Sequence, residues 1–138
     1  MAKVSVALLT ILSLLSLLSK CSLAFDTGET RVVNITNNLG PGIVLTLQCQ
    51  SKDDDLGKHD LSFQSNFHWE FKSNSLFPNT LFYCKMWWQN VYGSFDVYKA
   101  QRDDNRCASK CWWRIKQTGA FSYDETKDRW DLVYIWQK

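Results

Sequence analysis

Alternation of apolar and polar side chains at every second position constrains this chain more than any other feature of its sequence. Residues 67–72 alternate three aromatic side chains with three polar ones, and the apolar members of residues 43–49 share one side. Successive side chains of an extended strand point to opposite faces, so these segments fit strands with one buried face. No segment after residue 24 shows the period of an amphipathic helix. The pattern predicts an all-β fold.

The alternating segments are short and are separated by residues that favour turns. The predicted strands cover residues 31–36, 43–49, 67–72, 80–88, 93–98, 110–116, 119–123 and 129–136, with a short edge element at 60–63. Polar residues 50–58 and 101–106 are predicted as exposed loops. Many short strands with regular turn signals predict a small two-sheet antiparallel β-sandwich of about seven or eight strands.

The first 24 residues have the pattern of a secretory signal peptide. Lys3 precedes an apolar run over residues 4–18, and the small residues Ser22 and Ala24 stand where signal peptidase cleaves. The apolar run is shorter than the ~20 residues that a membrane span needs. We therefore expect cleavage after Ala24, secretion of residues 25–138 as one domain, and no stable insertion of that domain in a membrane.

Cleavage would remove Cys21 and leave an even number of cysteines in an oxidising compartment, which predicts two disulfides. The four candidates are Cys49, Cys84, Cys107 and Cys111. Pairing Cys49 with Cys111 and Cys84 with Cys107 is favoured, and Cys49–Cys107 with Cys84–Cys111 is the alternative. A Cys107–Cys111 bridge is disfavoured because its loop would be very small. A zinc site is disfavoured because the other two cysteines are far apart in the sequence and the histidines show no paired spacing.

The charge of the exported domain argues against binding to nucleic acid or anionic membranes, and its histidines argue against catalysis. The precursor has 16 Lys and Arg against 14 Asp and Glu, and the signal peptide contains two of the lysines and no acid. The exported domain therefore has no net positive charge to attract nucleic acid or an anionic membrane. His59 and His68 are the only histidines, and neither has a recognisable nucleophile as partner. We expect no enzymatic activity, metal site or cofactor.

Two charged loops could bind a partner. Asp53, Asp54 and Asp55 are consecutive, but they lack the spaced oxygen ligands of a calcium loop. Residues 102–106 place two acids and an asparagine between two arginines, next to Cys107. Each loop is either a solvated turn or a recognition site, and a loop held by a disulfide loses less entropy on binding.

Two tryptophan pairs and one asparagine raise further possibilities. In a strand, one member of Trp87-Trp88 and of Trp112-Trp113 points inward, so core packing is favoured over a platform for sugars or nucleotides. An exposed Trp87 and Trp112 on one sheet would favour the platform. Asn34, followed by Ile35 and Thr36, forms the only N-glycosylation acceptor motif, which requires Asn34 to face solvent.

The ordered set of motifs resembles the plant self-incompatibility S-protein homologues, a family of small secreted proteins. The motifs are Val33-x-Ile35-x-Asn37, Leu47-x-Cys49-x-Ser51-Lys52-Asp53-Asp54-Asp55-Leu56-Gly57, Phe67-x-Trp69-x-Phe71, Thr80-Leu81-Phe82-Tyr83-Cys84, Phe95-Asp96-Val97-Tyr98 and Cys107-x-x-x-Cys111-x-Trp113-x-Ile115. Together they span almost the whole exported domain.

The resemblance implies a β-sandwich with two intramolecular disulfides, no enzymatic activity and a role as a secreted signalling ligand. The best understood members are recognised by a receptor on the pollen surface through their surface loops. The matching positions here are Asp53, Asp54, Asp55, Arg102, Asp103, Asp104 and Arg106. We expect a monomer that binds a cell-surface receptor protein. The alternative is a secreted carbohydrate-binding or defence module that uses exposed aromatic residues.

Overall fold

Nine strands and one short helix form the described part of the chain. This computed structural model describes residues 28–73 and 79–137, and the predicted signal peptide lies outside these ranges. The elements are β1 (Glu29–Asn37), β2 (Leu45–Gln50), β3 (Asp55–Leu61), β4 (Asn66–Ser73), β5 (Leu81–Trp88), β6 (Val91–Lys99), α1 (Ala100–Asp103), β7 (Cys111–Lys116), β8 (Gly119–Asp124) and β9 (Arg129–Tyr134). Within these two ranges no helix is long and apolar enough to cross a membrane.

The strands form two sheets, as the sequence predicts. Sheet 1 has the order β4-β1-β7-β8-β9, and sheet 2 has the order β3-β2-β5-β6. All pairs are antiparallel except β1 and β7, which run parallel with Val33 opposite Cys111. The predicted sandwich is confirmed, but the parallel pair was not predicted. Alternation of apolar and polar residues shows which side of a strand is buried, but it does not show which strands become neighbours or how they are aligned, because that depends on packing between distant segments.

Strand β3 is the largest error in the predicted boundaries, because its first four residues were predicted as a loop. Asp55–Leu61 pairs with β2 only and forms one edge of sheet 2. An edge strand covered on one side tolerates polar and charged residues, which also discourage pairing with other molecules. The polar composition of β3 is therefore typical of an edge strand and misleads a prediction based on alternation.

The core lies between the sheets and is built from the inward side of each alternating strand. Its fully buried members include Val33, Ile35, Leu45, Leu47, Met86, Val97, Tyr98, Trp113 and Ile115. The indole Nε1 of Trp113, on sheet 1, donates a hydrogen bond to the carbonyl oxygen of Val97, on sheet 2, at 2.9 Å. The two sheets are thus joined by a polar contact as well as by apolar packing.

Asn37 is a fully buried residue that closes one end of the sandwich, just past the end of the strand predicted for residues 31–36. Its Nδ2 donates to the carbonyl oxygens of Ile43 and Leu61, each at 2.8 Å. Its Oδ1 accepts a hydrogen bond from the backbone N–H of Leu39 at 2.9 Å. One side chain therefore satisfies three backbone groups where the chain passes from β1 to β2.

The disulfides use all four predicted cysteines, but both predicted pairings are wrong. Cys49 is bonded to Cys84, and Cys107 is bonded to Cys111. Cys49 and Cys84 face each other on the adjacent strands β2 and β5, so their bridge lies within sheet 2 instead of joining the sheets. Cys107 and Cys111 have Cα atoms 5.1 Å apart across a tight bend. That spacing is ordinary for a disulfide, so the small loop was no obstacle.

Candidate recognition surface

The three consecutive aspartates lie at an exposed turn between β2 and β3. The backbone N–H of Ser51 donates to the carbonyl oxygen of Asp54 at 2.8 Å, and the backbone N–H of Asp54 donates to Ser51 Oγ at 3.1 Å. Asp55 begins β3, and its Oδ1 accepts the backbone N–H of Gly57 at 2.9 Å. All three aspartates are exposed. We call residues 51–55 the acidic turn. Its backbone is held by hydrogen bonds, while its side chains face solvent.

The carboxylates of the acidic turn have no cationic partner among the described residues, where every ion pair involves Arg31, Arg102, Arg106 or Arg129. Lys52 within the turn and Lys72 on β4 are also exposed. Because these exposed carboxylates are not paired within the described part of the protein, they are available to bind a cationic group of another molecule.

A cavity of about 760 Å³ lies beside the acidic turn. It is lined by residues of the turn, by Lys72 at the end of β4, and by Thr80, Phe82 and Tyr83 at the start of β5. The side-chain amide of Gln50 donates a hydrogen bond to the Tyr83 hydroxyl, which ties the base of the turn to β5. Sequence analysis missed Lys72 and Tyr83 because only the strand order brings them next to the aspartates. The volume is within the ~300–1,000 Å³ of ligand pockets.

The second predicted loop is not the exposed loop that the sequence suggested. Asp103 is the last residue of helix α1, and its carboxylate lies against the end of β6. Only 4% of this residue is exposed. Its Oδ2 accepts the backbone N–H of Lys99 at 2.8 Å. Arg102 donates to the same carboxylate, from Nε to Oδ1 at 2.9 Å and from Nη2 to Oδ2 at 2.8 Å. A helix of four residues has no period to detect, so nothing in the sequence indicates this burial.

Asp104 joins three strands at the same end of the sandwich. It accepts hydrogen bonds from the Tyr98 hydroxyl on β6 and from Ser73 Oγ on β4, the latter at 2.9 Å. Nε of Arg31, on β1, lies 3.8 Å from the same carboxylate. Burial raises the pKa of Tyr98, and the hydrogen bond to Asp104 raises it further. The buried phenol is therefore kept as a hydrogen-bond donor.

Arg106 connects the second loop to the hairpin of β8 and β9. Its Nε lies 3.8 Å from Asp124 Oδ2, and its Nη2 lies 3.4 Å from Asp131 Oδ2. The Thr126 hydroxyl donates to Asp124 Oδ1 at 2.6 Å, and this hydrogen bond is the main cause that lowers the pKa of Asp124. The charged residues of the second loop thus lie in structural networks, whereas the three aspartates of the acidic turn lie on the surface.

Each tryptophan pair places one member in the core, as predicted. Trp88 and Trp113 are buried, while Trp87 and Trp112 are half-buried on the opposite sides of their strands. Trp87 belongs to sheet 2 and Trp112 belongs to sheet 1. The two half-buried rings therefore lie on different sheets and do not form the single platform that would favour sugar binding.

The outer side of sheet 1 carries a row of neighbouring aromatic rings on β7, β8 and β9. The ring of Tyr123 lies 5.3 Å from that of Trp112 and 5.2 Å from that of Trp130. The guanidinium of Arg114 lies 4.0 Å from the centre of the Trp130 ring. Sequence analysis found Trp112 but missed its neighbours, because β8 and β9 were not aligned with β7. We call Trp112, Tyr123 and Trp130 the aromatic row.

The two histidines have structural surroundings. His59 Nε2 lies 2.7 Å from the carbonyl oxygen of Leu56, and its ring stacks on Phe67 at 4.0 Å. His68 Nδ1 lies 3.4 Å from Asn66 Oδ1 on the exposed side of β4. Among residues 28–73 and 79–137, no group of three His, Cys, Asp or Glu side chains could hold a metal ion. Both histidines thus contact structural neighbours on β3 and β4.

The chain is similar in sequence to known proteins of one plant family. A family model described as "Plant self-incompatibility protein S1" matches residues 32–136. S-protein homolog 2 of Arabidopsis thaliana is 38% identical over 125 residues, which cover 87% of this chain and 76% of that protein. Self-incompatibility protein S1 of Papaver rhoeas is 32% identical over 124 residues, which cover 88% of this chain and 86% of that protein.

A solved structure shares the fold. It is described as "Structure of SPH (Self-Incompatibility Protein Homologue) proteins, a widespread family of small, highly stable, secreted proteins from plants". The TM-score is 0.62 at 16% sequence identity, and the match covers 80% of this chain and 97% of that chain. At this identity the likeness supports the sandwich architecture. The matched residues 32–136 contain the acidic turn, both disulfides and the aromatic row.

Proposed function

Because the chain belongs to the plant self-incompatibility protein S1 family, as its motifs predicted, we propose that it is a secreted, non-enzymatic signalling ligand. In this proposal a receptor protein at the cell surface recognises the acidic turn, and no cofactor is involved. Secretion agrees with the family, whose solved member is described as a small secreted protein. The cell–cell process served, pollen recognition or another, depends on the receptor.

The acidic turn is the observation that carries this proposal. Asp53, Asp54 and Asp55 are exposed carboxylates on a backbone held by hydrogen bonds, in a turn that begins two residues after the disulfide-bonded Cys49. A rigid loop loses little conformational entropy when it binds, so more of its contact energy appears as affinity. A basic patch on the receptor would complement the turn and speed association.

The second loop supports recognition in a different way from the one the sequence suggested. Arg102, Asp103, Asp104 and Arg106 hold the loop in shape through internal contacts. Gln101 and Asn105 are its exposed members. We therefore propose that the four charged residues position this loop, while direct contacts come from its exposed residues and from the acidic turn.

Binding of labelled protein to intact plant cells tests the proposal. The variant combines Asp53→Asn and Asp54→Asn, and the control is Glu70→Gln, which neutralises an exposed carboxylate on β4. The double variant is expected to bind at least about tenfold more weakly, a loss of ~1.4 kcal/mol, with an unchanged Tm. The control is expected to bind as the parent protein does. Equal binding by the parent and the double variant would contradict recognition through the acidic turn.

Carbohydrate binding is the second candidate, and the aromatic row is the observation that favours it. Stacked Trp and Tyr rings can bind sugars, but here Trp112 and Tyr123 already stack on each other at an interplanar angle of 25°. A glycan array probed with the exported protein distinguishes the candidates. Specific hits that are lost on Trp112→Ala would favour this module over the signalling ligand.

A further inference from the structure

Asn34 lies in line with the aromatic row on the outer side of sheet 1. It stands opposite Trp112 in the parallel pairing of β1 with β7, and Tyr123 stands opposite Trp130 in the pairing of β8 with β9. Val33 and Ile35 are fully buried, so Asn34 is on the outward side, as a glycosylation site requires. The only acceptor motif in the chain is therefore next to the end of the aromatic row.

The Trp112 ring stacks nearly parallel to Tyr123 on β8, which is one neighbour of β7, and β1 is the other neighbour. Tyr123 covers one side of the ring, so the other side remains for a group carried by β1. Adjacent strands are ~4.8 Å apart, close to the spacing of stacked rings. A sugar ring attached to Asn34 would therefore lie at the next position of the row, where its C–H face can pack on the Trp112 ring. The ammonium of Lys110 lies 5.4 Å from the Trp112 ring centre, and its exposed, flexible side chain can move aside or donate to a hydroxyl.

A small cavity adjoins Asn34 on the outer side of sheet 1. This cavity of about 240 Å³ is lined by Asn34 and Thr36 on β1, by Trp112 and Arg114 on β7, and by Trp130 on β9. This volume is below the ~300–1,000 Å³ typical of sites for whole ligands; a glycan attached to Asn34 would need to place only its first sugar there.

The side-chain amide of Asn34 has an unusual environment. Its Oδ1 is buried and has no hydrogen-bond partner among the residues that the structure describes. The atom to which an N-linked glycan is attached is Nδ2, which diverges from Oδ1 on the same amide group. A sugar attached to Nδ2 would bring hydroxyl and N–H donors close to this oxygen, whose unpaired burial is otherwise unfavourable.

We propose that Asn34 carries an N-linked glycan whose first sugar packs against the β1-facing side of Trp112. The donor is an oligosaccharide bound to a lipid through a diphosphate. Asn34 Nδ2 forms a bond to the anomeric carbon of the first sugar and loses one proton. The bond between that carbon and the diphosphate breaks, and the lipid diphosphate leaves with the electron pair. The packed sugar shields Trp112 and stabilises sheet 1.

A matched pair of substitutions at Thr36 tests attachment and packing together. Thr36→Ser keeps the acceptor motif, whereas Thr36→Ala destroys it and leaves Asn34 in place. Both proteins are expressed in plant cells as the full chain and purified from the medium. Mass spectrometry is expected to find Asn34 modified in Thr36→Ser and unmodified in Thr36→Ala. The Tm of Thr36→Ser is expected to be higher by about 4 °C.

Oxidation of tryptophan, mapped by mass spectrometry, reports the contact without a change at Trp112. Trp112 is expected to be at least about twofold less oxidised in Thr36→Ser than in Thr36→Ala, while Trp87 on the other sheet is oxidised equally in both. In a Trp112→Ala background the Tm difference between the Thr36 variants is expected to disappear, and in a Trp87→Ala background it is expected to remain. An unmodified Asn34 in exported Thr36→Ser, or equal oxidation of Trp112 in both proteins, would overturn the inference.

This inference depends on the secretion that the proposed function also assumes, but the two can fail separately. An exported protein that binds cells with Asn34 unmodified would overturn the glycan alone. A protein modified at Asn34 that does not bind cells through the acidic turn would overturn the recognition proposal alone.

Discussion

Asp103 offers the sharpest test of the structural account, because sequence analysis placed it in an exposed loop and the structure buries it. Asp103→Ala would remove a carboxylate that accepts the backbone N–H of Lys99 at 2.8 Å and two bonds from Arg102. Removing one partner of a buried ion pair usually costs about 3–5 kcal/mol. The Arg102 side chain is 30% exposed and also donates to the carbonyl oxygen of Asp96, so solvent and this second partner reduce the loss. We expect a decrease of about 2–3 kcal/mol in the free energy of unfolding.

Equilibrium unfolding in urea, with the disulfides intact, measures this decrease. The midpoint is expected to fall while the m-value is unchanged, because the surface exposed on unfolding is the same. Asp53→Ala, in the exposed acidic turn, is the matched control and is expected to change the free energy by less than about 0.5 kcal/mol. A change of that small size for Asp103→Ala as well would refute the structural role of this carboxylate.

Three further predictions concern the disulfides, acid stability and the end of the sandwich. Replacing Cys49 and Cys84 by alanine is expected to lower the free energy of unfolding by about 4 kcal/mol, because that bridge spans 35 residues. Replacing Cys107 and Cys111 by alanine is expected to lower it by only about 2 kcal/mol, because that bridge spans 4 residues. Equal losses in chemical unfolding would contradict this. The lowered pKa of Asp124 means that its ionised form stabilises the fold above its usual pKa of 3.8, and that this contribution is lost as pH falls through the folded-state value. The Tm of Asp124→Asn should therefore fall less between about pH 5 and pH 2 than that of the parent, and parallel Tm curves would count against the shift. Gly93→Ala would place a methyl group against the Trp136 ring and is expected to lower the free energy of unfolding by about 1–3 kcal/mol. The control, Ser94→Ala, should have little effect. Similar thermal melts for the two variants would show that Trp136 does not pack against Gly93.

The existence of most strands could be predicted from sequence because alternation is a local property. Residues 67–72 were predicted as a strand and lie within Asn66–Ser73, and one member of each tryptophan pair lies in the core, as predicted. The β3 strand was underestimated because an edge strand needs few apolar residues. Alternation of apolar and polar residues thus predicts which side chains face the core wherever a strand buries only one face.

The disulfide pairing and the second loop could not be predicted, because both depend on contacts between distant segments. Cys49 and Cys84 become neighbours only when β2 pairs with β5, and the register of that pair has no sequence signal. Asp104 is drawn into a network by Tyr98 and Ser73, which lie 6 and 31 residues away. A run of charged residues beside a cysteine reads as a solvated loop unless these partners are known. The acidic turn was predicted correctly as exposed because its hydrogen bonds are local.

Site-specific photo-crosslinking on intact plant cells tests the central claim most directly. A photoreactive side chain is placed at residue 53 of the exported, oxidised protein, and at residue 70 in the control. The account predicts that the probe at 53 captures a cell-surface protein that excess unlabelled ligand displaces, and that the probe at 70 does not capture it. Capture of the same proteins from both positions, or none displaced by unlabelled ligand, would contradict recognition through the acidic turn.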